Sequence, residues 1–377
     1  MVLLSISKHF SGLEDPRVER TKRHLLMDII GLTVCAVIGG CNSWVEVELF
    51  GKSKYKFLKK YLNLPNGIPS HDTIGRVFAA LDPQTFERCF ISWTRTLVDD
   101  IKNVIAIDGK SVCGSRQGIL GKKAIHMVSA FSCAHRLVLG QIKTDEKSNE
   151  ITAIPELLNV INIKGSIITI DAMGCQKAIA KQIVSGGGDY IFGLKGNQGN
   201  LHKEVQKIFD EAQTKEFRGY KYSFYETSEK AHGREEVRRY WTIEKRPIAA
   251  DIAIFFGKEP WEGLQVIGMV ESERKVGDKK SKERRYYISS MENNAEEFAR
   301  AVRGHWRIEN SLHWVLDVIF REDHSQVRVK NAAENFSIIR RIALNMIKNE
   351  KTFKGSINSR RLKAGWDNDY LVKILCS

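Results

Sequence analysis

A chain of 377 residues with 42% apolar residues can bury more than one core, which excludes an intrinsically disordered chain. Lysine and arginine number 59 against 45 acidic residues, and the resulting net charge of +14 favours a polyanionic partner through attraction and counterion release. The seven cysteines form no CxxC pair and show no zinc-knuckle spacing, so a reducing cytosol fits better than a disulfide framework.

Residues 1–100 are expected to form a helical N-terminal domain. Leu25, Leu26, Ile29, Ile30, Leu32, Val37 and Ile38 repeat at helical spacing until Gly39-Gly40. This run is shorter than a bilayer span, contains Asp28 and comes too late for an export signal, so a core helix and no membrane partner are expected. A further helix starts near Pro69-Ser70, where Ser70 can cap it. The stretch to Arg76 could belong to a DNA-reading helix-turn-helix. Helical packing explains it as well, because charge here is nearly balanced, 13 basic against 11 acidic.

From residue 101 the texture changes. Val104–Ile107 is a β-branched run ending at Asp108, and Ala124–Phe131 and Leu137–Ile142 complete an expected antiparallel meander. Ile151–Ile161 reads as a helix weakened by Pro155. Ser166–Ile170 is a strand ending at Asp171, Cys175–Val184 a helix, and Asp189–Leu194 a strand. This order predicts an α/β fold with a ribonuclease-H-like mixed sheet, formed by residues 101–196 and 293–345. Residues 197–292 read as a mostly β insertion, with strands at Val237–Ile243, Ile252–Phe256, Leu264–Glu271 and Arg284–Ser289. Residues 274–285 hold seven basic and two acidic side chains, among them Arg274, Lys275, Lys279 and Lys280. They form either a solvated hairpin loop or a loop that tracks phosphates. Ala295–Phe320 is expected to be one long helix, and residues 346–377 a basic tail.

Asp108 and Asp171 each end an apolar strand. Such carboxylates cap the next element or serve as hard oxygen ligands for Mg2+ or Mn2+. In the long helix His305, Glu309, His313 and Asp317 recur every four residues, while Ala301, Trp306, Ile308, Leu312, Leu316 and Ile319 supply apolar contacts. A carboxylate beside a core needs a partner, which for Glu309 is a metal, His305 or Arg307. The two histidines stand eight apart and do not make the HExxH zinc pattern.

Taken together, these residues resemble a known family. Ala106-Ile-Asp-Gly-Lys-Ser111, Thr169-Ile-Asp-Ala172, Gly304-His-Trp-Arg-Ile-Glu-Asn310, Leu312-His-Trp314, Leu316-Asp-Val318 and Phe320-Arg-Glu-Asp323 resemble insertion-sequence DDE transposases, especially the subgroup of H-repeat-associated proteins. The resemblance covers essentially the whole chain. It implies catalytic, metal-holding acids at Asp108, Asp171 and Glu309, with two Mg2+ ions per site and Mn2+ as a substitute. It also implies binding of an element's terminal inverted repeats, nicking to free 3′-hydroxyls, and joining of these to target DNA by a homodimer or larger assembly. A cytoplasmic, nucleoid-associated protein of a bacterium is expected. Better-studied relatives carry Tyr, Arg and Lys where this chain has Val302, His305 and Leu316, which leaves the handling of the DNA end open.

Expected DNA contacts are Lys110, Lys147, Lys195, Asn197, Gln198, Arg303, His305, Arg307 and His313, together with the four basic residues of the insertion. For Lys110 a salt bridge is the competing role. His126 and Asp317 are expected to support the site from behind. A metal-dependent nuclease without strand transfer and a silent DNA-binding derivative are the rival functions.

Overall fold

β1 (Val104–Val112) outruns the apolar stretch that announces it, so Asp108 lies within the strand rather than at its end. Antiparallel pairing with β2 (Ile125–Ser132) carries it on, with Asp108 opposite Ser129. Its parallel pairing with β4 (Ile167–Ile170) stops at Ile107 opposite Ile170. Asp108 and Asp171 are therefore the first residues beyond the same rung. The computed structural model describes residues 4–98, 104–116, 124–144, 150–231, 233–244 and 260–377.

β3 (Leu137–Thr144) flanks β2, and β5 (Asp189–Leu194) flanks β4 in parallel. The segment read as a mostly β insertion continues this sheet. β9 (Lys279–Ser289) pairs antiparallel with β5, followed by β8 (Val266–Val276), β7 (Arg234–Glu244) and β6 (Tyr222–Ala231). The described residues form a nine-stranded sheet of order 3-2-1-4-5-9-8-7-6. The expected strand at 252–256 falls outside the described residues. The basic stretch 274–285 is a β-hairpin turning at Gly277, whose φ of +56° suits glycine, rather than a free loop.

Strand alternation sorts the two faces. Ile105 and Ile107 point to one core with α7 (Glu150–Val160), α8 (Lys177–Ser185) and α9 (Gly199–Thr214). Val104 and Ala106 point to the other, beneath α10, which starts at Ala295 and runs through Ile308 to Ile319. Asp108 and Lys110 share the parity of Ala106 and so belong to the α10 side.

The N-terminal region is helical, with α1 (Leu4–Phe10), α2 (Leu26–Ile38), α3 (Trp44–Ser53), α4 (Tyr55–Leu58), α5 (His71–Ala80) and α6 (Pro83–Thr94). Ser43, Ser70 and Asp82 each accept from an amide in the first turn of the helix they precede. α2 buries nearly its whole surface, including Asp28, whose carboxylate accepts from the amides of Asn63 and Leu64 at 3.1 and 2.9 Å. It lies against α11 (Ala332–Asn349), which also touches α5, α6 and β3. The basic C-terminal segment is helical as well. α12 (Ile357–Trp366) and α13 (Asn368–Leu375) pack on α2, and Arg361 donates to the Val37 carbonyl at its end. Among the described residues no helix is long and apolar enough to cross a membrane.

Candidate active site

α10 changes pitch where it passes Asp108. It is α-helical through Ile308, then widens into π turns at Glu309–His313 and Val315–Ile319. Such widenings are rare and concentrate at functional sites. Glu309 and His313, four residues apart, share the face of this turn that looks toward Asp108. His313 Nδ1 lies 3.6 Å from Asp108 Oδ2 and 3.6 Å from Glu309 Oε2. One ligand atom from each of the three residues falls within 4.8 Å of the others, a spread that a metal ion could gather. Glu309 is half-exposed, whereas Asp108 and His313 are largely enclosed, with side-chain exposures of 17% and 7%.

Asp171 stands beside this group rather than inside it, with its Oδ1 accepting from the Met173 amide at 2.9 Å. Asp108 Oδ1 accepts from the Gly109 amide at 2.9 Å. Burial pushes the Asp108 carboxyl up to about 8, and the nearby charges of Glu309 and Asp171 add to the shift. Glu309 is held below its usual range, chiefly by the His313 imidazole, against a smaller upward push from burial. The carboxylates thus repel one another at close range, as ligand sets for cations do before the cation enters.

Behind Asp108 the backbone has no spare room. A Cβ on Gly109 would come 2.3 Å from Glu150 Oε1 and 2.4 Å from His126 Nε2. Those two side chains are buried and paired at 2.6 Å, and Ser111 Oγ lies 3.0 Å from His126 Nδ1. His126 therefore packs on the face of β1 opposite Asp108, paired with Glu150 in the core. Gly109→Ala is predicted to cost about 1–3 kcal/mol through overpacking against this pair. A thermal melt unchanged from wild type would contradict that crowding.

Lys110 is enclosed rather than offered to a phosphate. Its Nζ lies 2.6 Å from Asp317, 3.1 Å from Asp323 and 3.6 Å from Glu322. Asp317 thereby supports the site through Lys110. Glu322 was not expected; it is fully buried beside Arg340 and Arg341 in α11. Two adjacent arginines set within the apolar run Ile338–Leu344 are the sequence signal for it.

His305 Nδ1 lies 3.1 Å from Thr169 Oγ1 on β4, and burial lowers its pKa. Asn197 and Gln198 tie the loop after β5 to the loop after β4, donating to the carbonyls of Ala172 and Cys175, the latter at 2.8 Å. Lys195 is exposed on the same rim. Arg303 pairs with Glu229 at 3.0 Å, and the exposed Arg307 donates to the Cys133 carbonyl at 3.4 Å. Arg274, Lys275, Lys279 and Lys280 are exposed at the far end of the β8–β9 hairpin. Lys147 lies outside the described residues.

Trp306 departs from its expected place in the core. It is 46% exposed, with the Arg285 guanidinium 4.6 Å from its ring centre. Two clefts meet at this tryptophan. One, of about 470 Å³, reaches Asp171 and His305 and is rimmed by Lys195, Arg284 and Tyr286. The other, of about 540 Å³, is lined by Arg234, Arg238, Arg274, Arg285, Arg303 and Arg307 together with Glu229, Glu236 and Glu283, which pair with several of them.

Comparison with known proteins gives two family matches. Residues 99–346 match the model described as Transposase DDE domain, and residues 7–94 match the one described as DDE_Tnp_1-associated. The H repeat-associated protein YhhI of Escherichia coli (strain K12) is 47% identical over 380 residues, covering 100% of this chain and 98% of its own length. YbfL of the same strain is 47% identical with the same coverage, and YncI of Escherichia coli O157:H7 is 44% identical over 381 residues, covering 100% of this chain and 96% of its own. A cryo-EM structure of the piggyBac transposase synaptic complex with hairpin DNA covers 98% of this chain and 77% of its own at a TM-score of 0.41 and 11% identity, too distant to argue from.

Proposed function

This chain belongs to the family of transposases that carry a DDE domain, and we propose on that premise that it cuts and joins DNA at the ends of a mobile element. The observation that carries this reading is the meeting of Asp108 and Glu309, from strand and distant helix, around His313 and beside Asp171. The strand order 3-2-1-4-5, with one acid within β1, one just after β4 and one on the helix above, supports a ribonuclease-H-like core.

The family works with divalent metal ions, and the donor set here fits them. The oxygens suit hard cations, and the largely enclosed Asp108 carboxyl is crowded by the charges of Glu309 and Asp171 beside the His313 imidazole. Asp108, Asp171 and Glu309 would hold two ions, Mg2+ or Mn2+. When bound, they supply Lewis-acid activation of a water or 3′-hydroxyl and neutralise charge at the phosphate. The side chains of this protein do the rest. Asp108 and Asp171, fixed by backbone amides, set the direction from which the phosphate is approached. The arginine-lined cleft binds and orients the phosphate backbone, and the Trp306–Arg285 pair offers a face on which a base can stack. In the first step water attacks the end phosphodiester, releasing a 3′-hydroxyl and a 5′-phosphate. In the second, that 3′-hydroxyl attacks a target phosphodiester, forming one bond and releasing a target 3′-hydroxyl.

The DNA partners are the element's terminal inverted repeats and the target duplex, taken up by a homodimer or larger assembly in a bacterial cytoplasm. A cleavage and joining assay on the flanking repeats with Mg2+ or Mn2+ tests the proposal. Joined products that vanish with chelator are expected. Cleavage without joining would replace the reading with a nuclease, and end binding without cleavage would replace it with a silent DNA-binding derivative.

A further inference from the structure

Among the described residues, the group whose ligand atoms can meet on one ion comprises Asp108, Glu309 and His313 rather than Asp171. His313 Nδ1 is equally distant, at 3.6 Å, from Asp108 and from Glu309. That spacing exceeds a good hydrogen bond. It suits two donors arranged around a common centre. The imidazole is 7% exposed, and among the described residues its buried Nε2 has no hydrogen-bond partner. Glu309 and His313 stand four residues apart and so side by side on one face of α10, where it takes its π turn.

We propose that His313 is a metal ligand, so that the ion nearest Glu309 is bound by two carboxylates and one imidazole nitrogen, while the ion between Asp108 and Asp171 is bound by oxygen alone. The inference rests on the metal-dependent reading above and deepens it. It makes the two ion sites chemically unequal. Imidazole suits transition metals, whereas Mg2+ prefers oxygen and water. The Glu309 site should therefore select Mn2+ over Mg2+, and the Asp171 site should discriminate less.

Electron spin-echo envelope modulation of Mn2+ bound to the full-length protein tests this without relying on turnover. Wild-type protein should show nitrogen modulation from a directly bound imidazole, and labelling with 15N-histidine should change its frequencies. His313→Gln should remove the modulation and weaken Mn2+ binding by ~10-fold or more, a scale set by the 10–100-fold losses seen on removing even outlying partners of metal ligands. His305→Gln should keep the modulation. Mn2+ binding that requires Asp108 but shows no nitrogen modulation would overturn the proposal while leaving the transposase reading intact. Modulation lost in His305→Gln and kept in His313→Gln would also overturn it. Absence of any Mn2+ binding sensitive to Asp108→Asn would overturn the metal reading itself. The wild-type and isotope measurements decide the matter even should His313→Gln fold poorly.

Discussion

Asp108→Asn should reduce strand cleavage and joining by at least ~10²–10³-fold, the scale on which removal of one preorganised electrostatic group acts. The substitution keeps the shape of a side chain that is 17% exposed and tied to the Gly109 amide, and removes only the charge. Glu309→Ala should cause a comparable loss. Their stabilities should differ. Glu309 is half-exposed, so its removal should move stability by no more than about 0.5 kcal/mol. Asn at 108 removes the cost of burying a carboxylate and, secondarily, its repulsion from Glu309 and Asp171, so the variant should melt no lower than wild type. A mobility-shift assay should show both variants still binding element ends, because the arginine-lined cleft is untouched. Either variant retaining cleavage within tenfold of wild type would place the chemistry elsewhere.

Glu322→Ala should have the largest effect on stability. Glu322 is fully buried and held by Arg341 at 3.2 Å, Lys110 at 3.6 Å and Arg340 at 3.7 Å, with Ser337 Oγ at 3.1 Å. Removing the one acid leaves buried cations that had shared it, a loss of ~3–5 kcal/mol when a buried pair is broken from one side. A denaturant midpoint within error of wild type would contradict this. The pH dependence follows from the same cluster. Burial alone would raise the Glu322 carboxyl, but Arg341, Arg340 and Lys110 outweigh it and hold it down to about 2. A carboxyl lowered in the folded state contributes stability above its unfolded pKa of about 4.3. That contribution is lost as pH falls from there through about 2. Acid titrations followed by circular dichroism should show this loss in wild type and a shallower one in Glu322→Gln.

Local pattern made the chemistry visible before the architecture. Asp108 and Asp171 are legible because β-branched runs stop at them, and their shared rung follows from parallel pairing of those runs. Glu309 is legible as part of a motif and its nearness to His313 follows from their four-residue spacing, but no periodicity foretells that both meet Asp108 of β1. β6 went unread because it is amphipathic in the wrong sense: Tyr222 and Phe224 are exposed, and Glu226, Glu229 and Lys230 lie along the same strand. Lys110 shows the limit of adjacency. It follows Asp108 by two residues and so shares its face, yet residues more than two hundred positions later decide whether it meets a phosphate or the Asp317–Asp323 acids. Trp306 was misplaced because helical spacing gives the side of α10, not whether β9 covers that side; Arg285 covers only part of it.

The contact between α2 and α11 also bears on how the protein is made. α2 is synthesised early and is apolar on nearly every side, but its partner α11 follows only after the entire sheet. At 5–20 residues per second the ribosome needs on the order of tens of seconds to span that interval. During that time α2 has an uncovered greasy surface, a natural client for holding chaperones. The frame around the acids closes only after translation has passed α11.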